Sequence, residues 1–339
     1  MNMEKNSMKK DKKPLFSKAK DGVEGIYANL KKKTFVLHPT VLVLVTYILL
    51  LITKVIDVTL LNRENEYYSV VILQMMIFIL PGAIWCKFSG ERFVSKIRLR
   101  MVNVNSIPLI LSAALLIASG SLLISFLLDG FNGISNNFSL YDTFVSNNKA
   151  GVTNTIYLIV AYALLPSICE EFVYRGILCH EYERGGVLRA VVVSSVFFAL
   201  LHFNIKNLPV YLFSGVILAM TLYATRSVVG PMIAHFLYNI FGLFGQPYMS
   251  NLYRITNSPK LFIIIITTVC LLSAALFCEE ASRLYSAYLY KAYPADYRKP
   301  VIKDSAMIRK SYLDVVRQPS AIACFAIYVV AVVISLIRG

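Results

Sequence analysis

The chain has 339 residues, 57% of them hydrophobic and 16% charged, with a mean hydropathy of +0.62 and a net charge of +15. A soluble domain carries about 25% charged residues, so the composition excludes a string of soluble domains and predicts one all-α, polytopic membrane protein. The basic residues are spread over many connecting segments, which argues against nucleic acid as a partner and for anionic lipid headgroups.

Residues 1–38 read as a basic tail with neither an apolar core nor a small-residue cleavage site, so no signal peptide is expected. Crossing a ~30 Å apolar layer takes about 20 residues. On that scale nine spans are predicted: 39–61, 68–86, 105–128, 153–180, 188–204, 208–225, 231–249, 261–279 and 320–337, the fifth and sixth being short. A fold of about eight or nine membrane helices with a polar catalytic cavity follows. Lys54 and Asp57, three apart in the first span, are expected to pair on one helix face. Residues 129–152 read as an Asn- and Ser-rich outer loop, and 281–318 as a long basic inner loop. Most of the 34 Lys and Arg residues fall on the side of the N-terminus, which places that end inside. The six cysteines lie in or beside spans without a CxxC pair and read as small buried hydrophobes. Four segments result: the basic tail 1–38, N-terminal membrane helices and outer loop over 39–150, a core over 151–250, and C-terminal membrane helices with a basic loop over 251–339.

Polar residues inside spans concentrate between 166 and 240. The stretch CEEFVYRGIL, 169–178, places two acids at the end of an oily run, where each costs about 2.5–3.5 kcal/mol on an insertion scale. Glu171 and Arg175 are i and i+4 and can pair, whereas Glu170 points about 100° away with no partner on its own helix. The second motif is FFALLHF, ending in His202 and Phe203. The third is HFLYN, in which His235 and Asn239 share a face. His38 and His180 lie at span ends among charges and read as interfacial. Read singly, each motif also fits interfacial charge or polar glue between helices. Together they converge. Gly185–Gly186 is a predicted turn, and Glu170 and His202 lie almost equally far from it, about 23 Å along each helix. Residues 204–208, NIKNL, are then expected to line a polar interior.

A carboxylate and an imidazole sharing one water can deprotonate it. A second imidazole and an amide on one face can stabilise a developing oxyanion. This is equipment for hydrolysing an amide with activated water. Zinc held by Glu170, His202 and His235 is the mechanistic rival, although no HExxH occurs and the three ligands come from separate spans. Cys169 is a poor nucleophile beside two carboxylates.

Glu170-Glu171-Phe-Val-Tyr-Arg175, Phe198-Ala-Leu-Leu-His202 and His235-Phe-Leu-Tyr-Asn239 follow in that order over about 70 residues. Together they resemble the EExxxR, FxxxH and HxxxN motifs of the CAAX-protease and bacteriocin-processing family of intramembrane proteases, the Abi or CPBP family. The resemblance covers about 153–245. It implies that Glu170 and His202 activate water, that His235 and Asn239 form the oxyanion site, and that Glu171 and Arg175 support them; no cofactor is expected, with zinc as the alternative. It further implies a peptide or membrane-protein substrate, and an integral protein of a prokaryotic plasma membrane with a cytoplasmic N-terminus. Bacterial members also include immunity proteins, so a non-catalytic binding protein is the rival function.

Overall fold

Prolines begin most of the helices in the computed structural model, which describes residues 38–59, 71–89, 97–137, 155–290 and 305–338. Eleven helices follow one another among these residues, without a strand. They are α1 (Thr40–Thr59), α2 (Val71–Phe88), α3 (Ile107–Asn137), α4 (Thr155–Tyr182), α5 (Val187–Leu200), α6 (Leu208–Thr225), α7 (Val229–Phe244), α8 (Gln246–Thr256), α9 (Pro259–Tyr290), α10 (Ser305–Val316) and α11 (Pro319–Arg338). Pro108, Pro209, Pro247 and Pro259 each stand in a first turn, where a missing N–H costs nothing and the fixed φ favours the helix.

Six helices are long and apolar enough to cross a membrane: α2, α3, α4, α6, α9 and α11. Stretches of α1, α5 and α7 are shorter and apolar. These nine coincide with the nine predicted spans, and the chain is a polytopic helical membrane protein. The limits differ where backbone chemistry overrides hydropathy. Helix α3 breaks at Asp129 and Gly130, with φ +58 at Gly130, next to the predicted end at 128, and a short helical segment follows the break. Helix α9 continues to Tyr290, and Ser305–Val316 is helical, so much of the predicted inner loop 281–318 is helix. The predicted span 231–249 is two helices that meet at Gly245. The tail, and the side chains of Lys54 and Asp57, lie outside the described residues.

The described residues pack as one unit. The α5–α6 hairpin is tight because small residues face each other: a Cβ on Gly215 would sit 3.1 Å from Cα of Ser195. Ser119 of α3 meets Ser273 of α9 at 3.2 Å. Helix α1 packs on α11, and the buried Tyr47 of α1 donates its hydroxyl proton to the Phe197 carbonyl of α5. Leu271, Leu272, Val329 and Val330 are exposed on the outer helices, as lipid contact requires.

Helix α4 departs from α geometry twice. Residues Ile159–Leu164 form a π-helical stretch just before Pro166, and Phe172–Leu178 form another just after the paired glutamates. A proline inside a helix leaves a carbonyl without its N–H and crowds it; local widening to π geometry relieves that crowding and lets other donors reach the freed carbonyls. It also rotates every later side chain about the axis, which sets where Glu170 and Glu171 point.

The expected turn between α4 and α5 is present. Gly186 takes φ 111 and ψ 150, a region essentially closed to residues with a side chain. Gly186→Ala should destabilise the protein by about 1–3 kcal/mol, read as a lowered melting midpoint in detergent, because this turn sets the register between α4 and α5.

Candidate active site

The four motif residues expected to act together line one cavity of about 270 Å³. Glu170 comes from α4, His202 from the turn after α5, and His235 and Asn239 from α7. Such a volume holds several waters at about 30 Å³ each. The remaining wall includes Tyr162, Pro166, Asn207, Tyr211, Tyr238 and Gly242. Asn207 brings the NIKNL segment to the cavity, as expected, while Lys206 beside it is exposed.

Each polar member is held differently. Glu170 is partly exposed towards the cavity, and its Oε2 is buried with no hydrogen-bond partner. A buried carboxylate oxygen left unpaired is costly in a purely structural role, and such atoms concentrate at working sites. His202 donates its Nδ1 proton to the Phe198 carbonyl at 3.0 Å, since a carbonyl can only accept. In the neutral ring Nε2 is therefore the lone pair that can accept from a water. Its ring lies flat on Tyr211, with centroids 3.7 Å apart and planes 13° from parallel. Asn239 Nδ2 donates to the Ala163 carbonyl at 3.4 Å, within the first π-helical stretch of α4. That bond fixes which end of the amide is the nitrogen and leaves its second N–H.

Behind the cavity wall lies a buried charge network. Glu171 and Arg175 form the predicted pair at 2.9 Å, both side chains 0% exposed. The pairing reaches further than spacing could show. Glu171 Oε1 also accepts from His235 Nδ1 at 3.0 Å. For Nε2 of His235 to donate as well, the ring must carry both protons, and Glu171 is then its counter-ion. Arg175 donates from Nη2 to the Gly215 carbonyl at 3.0 Å and stacks over Phe198 at 4.3 Å. Phe198 presents itself edgewise to His202 and His235, with ring centroids 5.2 and 5.9 Å away. One aromatic ring thus touches the Arg175 guanidinium and both imidazoles. Glu171 is fully buried inside the protein, and Glu170 faces the cavity.

Spacing alone missed Tyr162, Tyr211, Tyr238 and Gly242. Part of the signal was present: Tyr162, Pro166 and Glu170 recur at i+4, as do Asn207 and Tyr211. Without the known fold those residues read as ordinary apolar or interfacial positions. Cys169 is buried beside Met75 and does not line the cavity. His180 lies 3.7 Å from Glu183, and His38 hydrogen-bonds Thr40, so neither reaches the cavity. Among the described residues no three His, Cys, Asp or Glu side chains gather into a group that could hold a metal, so the set Glu170, His202 and His235 does not fit zinc as it stands.

Comparison with known proteins coincides with this region. Residues 152–241 match the family model of type II CAAX prenyl endopeptidase, Rce1-like. A Bacillus subtilis protein named "Putative membrane peptidase YdiL" is 29% identical over 85 residues, which are 25% of this chain and 35% of that relative. The match therefore spans about a third of the relative's length. No solved structure matches the chain. The matched segment contains Glu170, His202, His235 and Asn239, the four polar residues that converge on the cavity, and over residues 152–241 the chain is similar to the CAAX-protease, or CPBP, family.

Proposed function

We propose that the protein is an intramembrane endopeptidase of glutamate type and that the cavity is its active site. The observation that carries this reading is the convergence of Glu170, His202, His235 and Asn239, from two helices and a turn, on one cavity with room for several waters. Glu170 takes a proton through Oε2 from a water that His202 helps to position. The hydroxide attacks the carbonyl carbon of a peptide bond. Asn239 Nδ2–H and His235 Nε2–H donate to the oxygen as charge develops there. Glu170 then returns the proton to the leaving amine nitrogen. No step uses a metal, and the donor geometry supports that choice.

The substrate is a peptide or a segment of a membrane protein, entering from the side on which the basic loops and the N-terminus lie. We assign that side to the cytoplasm of a prokaryotic plasma membrane. The test compares new protein N-termini in membranes carrying the wild type or Glu170→Gln, each with and without a chelator. Termini found only with the wild type, and indifferent to chelator, support the proposal; their loss with chelator would restore zinc, and identical sets would overturn the enzyme reading.

Asn239→Ala should lower kcat by about 10²–10³ with little change in KM, the usual effect of deleting one oxyanion donor. The loss should be smaller than for Glu170, because His235 still donates. Single-turnover cleavage of a substrate identified above would check it.

A further inference from the structure

Glycine inside a membrane helix needs a reason, since alanine there is about 1 kcal/mol more favourable. Several glycines in the described helices have one. A Cβ on Gly82 or Gly120 would collide with a phenylalanine ring, and one on Gly215 would press into α5. Gly130 has positive φ. Gly242 of α7 has neither reason: its backbone is helical, and a Cβ there would meet no atom within 4 Å. The space it leaves open is the cavity, which Gly242 lines.

Its position on the helix is informative. His235, Asn239 and Gly242 are i, i+4 and i+7, so the glycine continues the stripe that carries the oxyanion donors. It lies about 4.5 Å along the axis beyond Asn239 at 1.5 Å per residue. An extended peptide advances about 3.3–3.6 Å per residue. Gly242 therefore stands about one substrate residue from the scissile carbonyl. Tyr238 precedes it by one turn. Tyr162 is adjacent to Ala163, whose carbonyl Asn239 holds, and both tyrosines line the same cavity as Gly242.

We infer that the open space over Gly242 is the subsite for a bulky apolar side chain of the substrate, next to the bond that is cut, and that Gly242 is a specificity-determining residue. This rests on the endopeptidase reading. The absence of a side chain makes room for the guest residue, and the tyrosine rings offer it aromatic faces.

Because a Cβ at 242 would meet no neighbour within 4 Å, substitution there should leave the fold intact while filling the subsite. The experiment profiles the bonds cut by the wild type, Gly242→Ala and Gly242→Leu in the same membranes, with Glu170→Gln as the blank and melting midpoints taken for each. Gly242→Leu should lower the ratio of cuts beside bulky apolar residues to cuts beside small ones by tenfold or more, with Gly242→Ala between it and the wild type and all midpoints alike. An unchanged ratio in folded Gly242→Leu would overturn the subsite while leaving the endopeptidase standing. If wild type and Glu170→Gln give the same termini, the endopeptidase reading fails first and the subsite with it.

Discussion

Glu170→Gln is expected to lower cleavage by about 10³-fold or more, with protein yield and melting midpoint unchanged. General-base catalysis contributes typically 10²–10⁴ in rate, and 10³ corresponds to about 4 kcal/mol of barrier. Glutamine matches glutamate in shape, so substrate should still bind, and the loss should appear in kcat rather than KM. The fold has little to lose, because Glu170 Oε2 has no hydrogen-bond partner in the resting protein. The contrast with Glu171 sharpens the test. Glu171 is fully buried and bound to two cations or donors, so Glu171→Gln should lower both activity and stability. A packing role for the acids predicts the reverse order, with Glu170→Gln silent in every assay. Cleavage by Glu170→Gln within threefold of wild type would exclude it as the base.

Much of this site was legible in the sequence because membranes make polar residues expensive. Glu170, Glu171, His202 and His235 stand out against apolar neighbours, and helical spacing alone pairs Glu171 with Arg175 and His235 with Asn239. The Gly185–Gly186 turn then brings Glu170 and His202 level. What spacing could not supply was the phase of α4. Two π-helical stretches rotate it, and no propensity announces them except Pro166. The bond between Glu171 and His235 therefore joins residues 64 apart, each of which already had an i+4 partner in sequence. The aromatic wall was hidden for a different reason. With 21 tyrosines and 20 phenylalanines in the chain, Tyr211 and Phe198 carry no signal until the backbone places them against His202. The far limit of α9 was missed because hydropathy reports where a helix leaves the apolar layer, whereas helices end only where capping and backbone geometry stop them.

Arg175→Leu should be among the most destabilising single changes in the chain, and pairing it with Glu171→Leu should recover much of the loss without restoring activity. The Arg175 guanidinium neutralises Glu171, satisfies the Gly215 carbonyl and covers the Phe198 ring, all without solvent. Removing it alone leaves a buried carboxylate with only His235 as partner, and breaking a buried pair in this way typically costs about 3–5 kcal/mol. Replacing both partners by apolar residues removes the stranded charge, and such replacements are often close to neutral. Activity should not follow stability. Without Glu171, His235 loses both the acceptor that orients its ring and the counter-ion that lets Nε2 donate, so the oxyanion site stays broken in a folded protein. Melting midpoints and cleavage rates for the two single variants and the double variant close the cycle. A double variant no more stable than Arg175→Leu would mean that the Gly215 and Phe198 contacts, not the charge, carry the stability. A stable double variant that still cleaves at the wild-type rate would remove His235 from the oxyanion site and leave Asn239 as its principal donor.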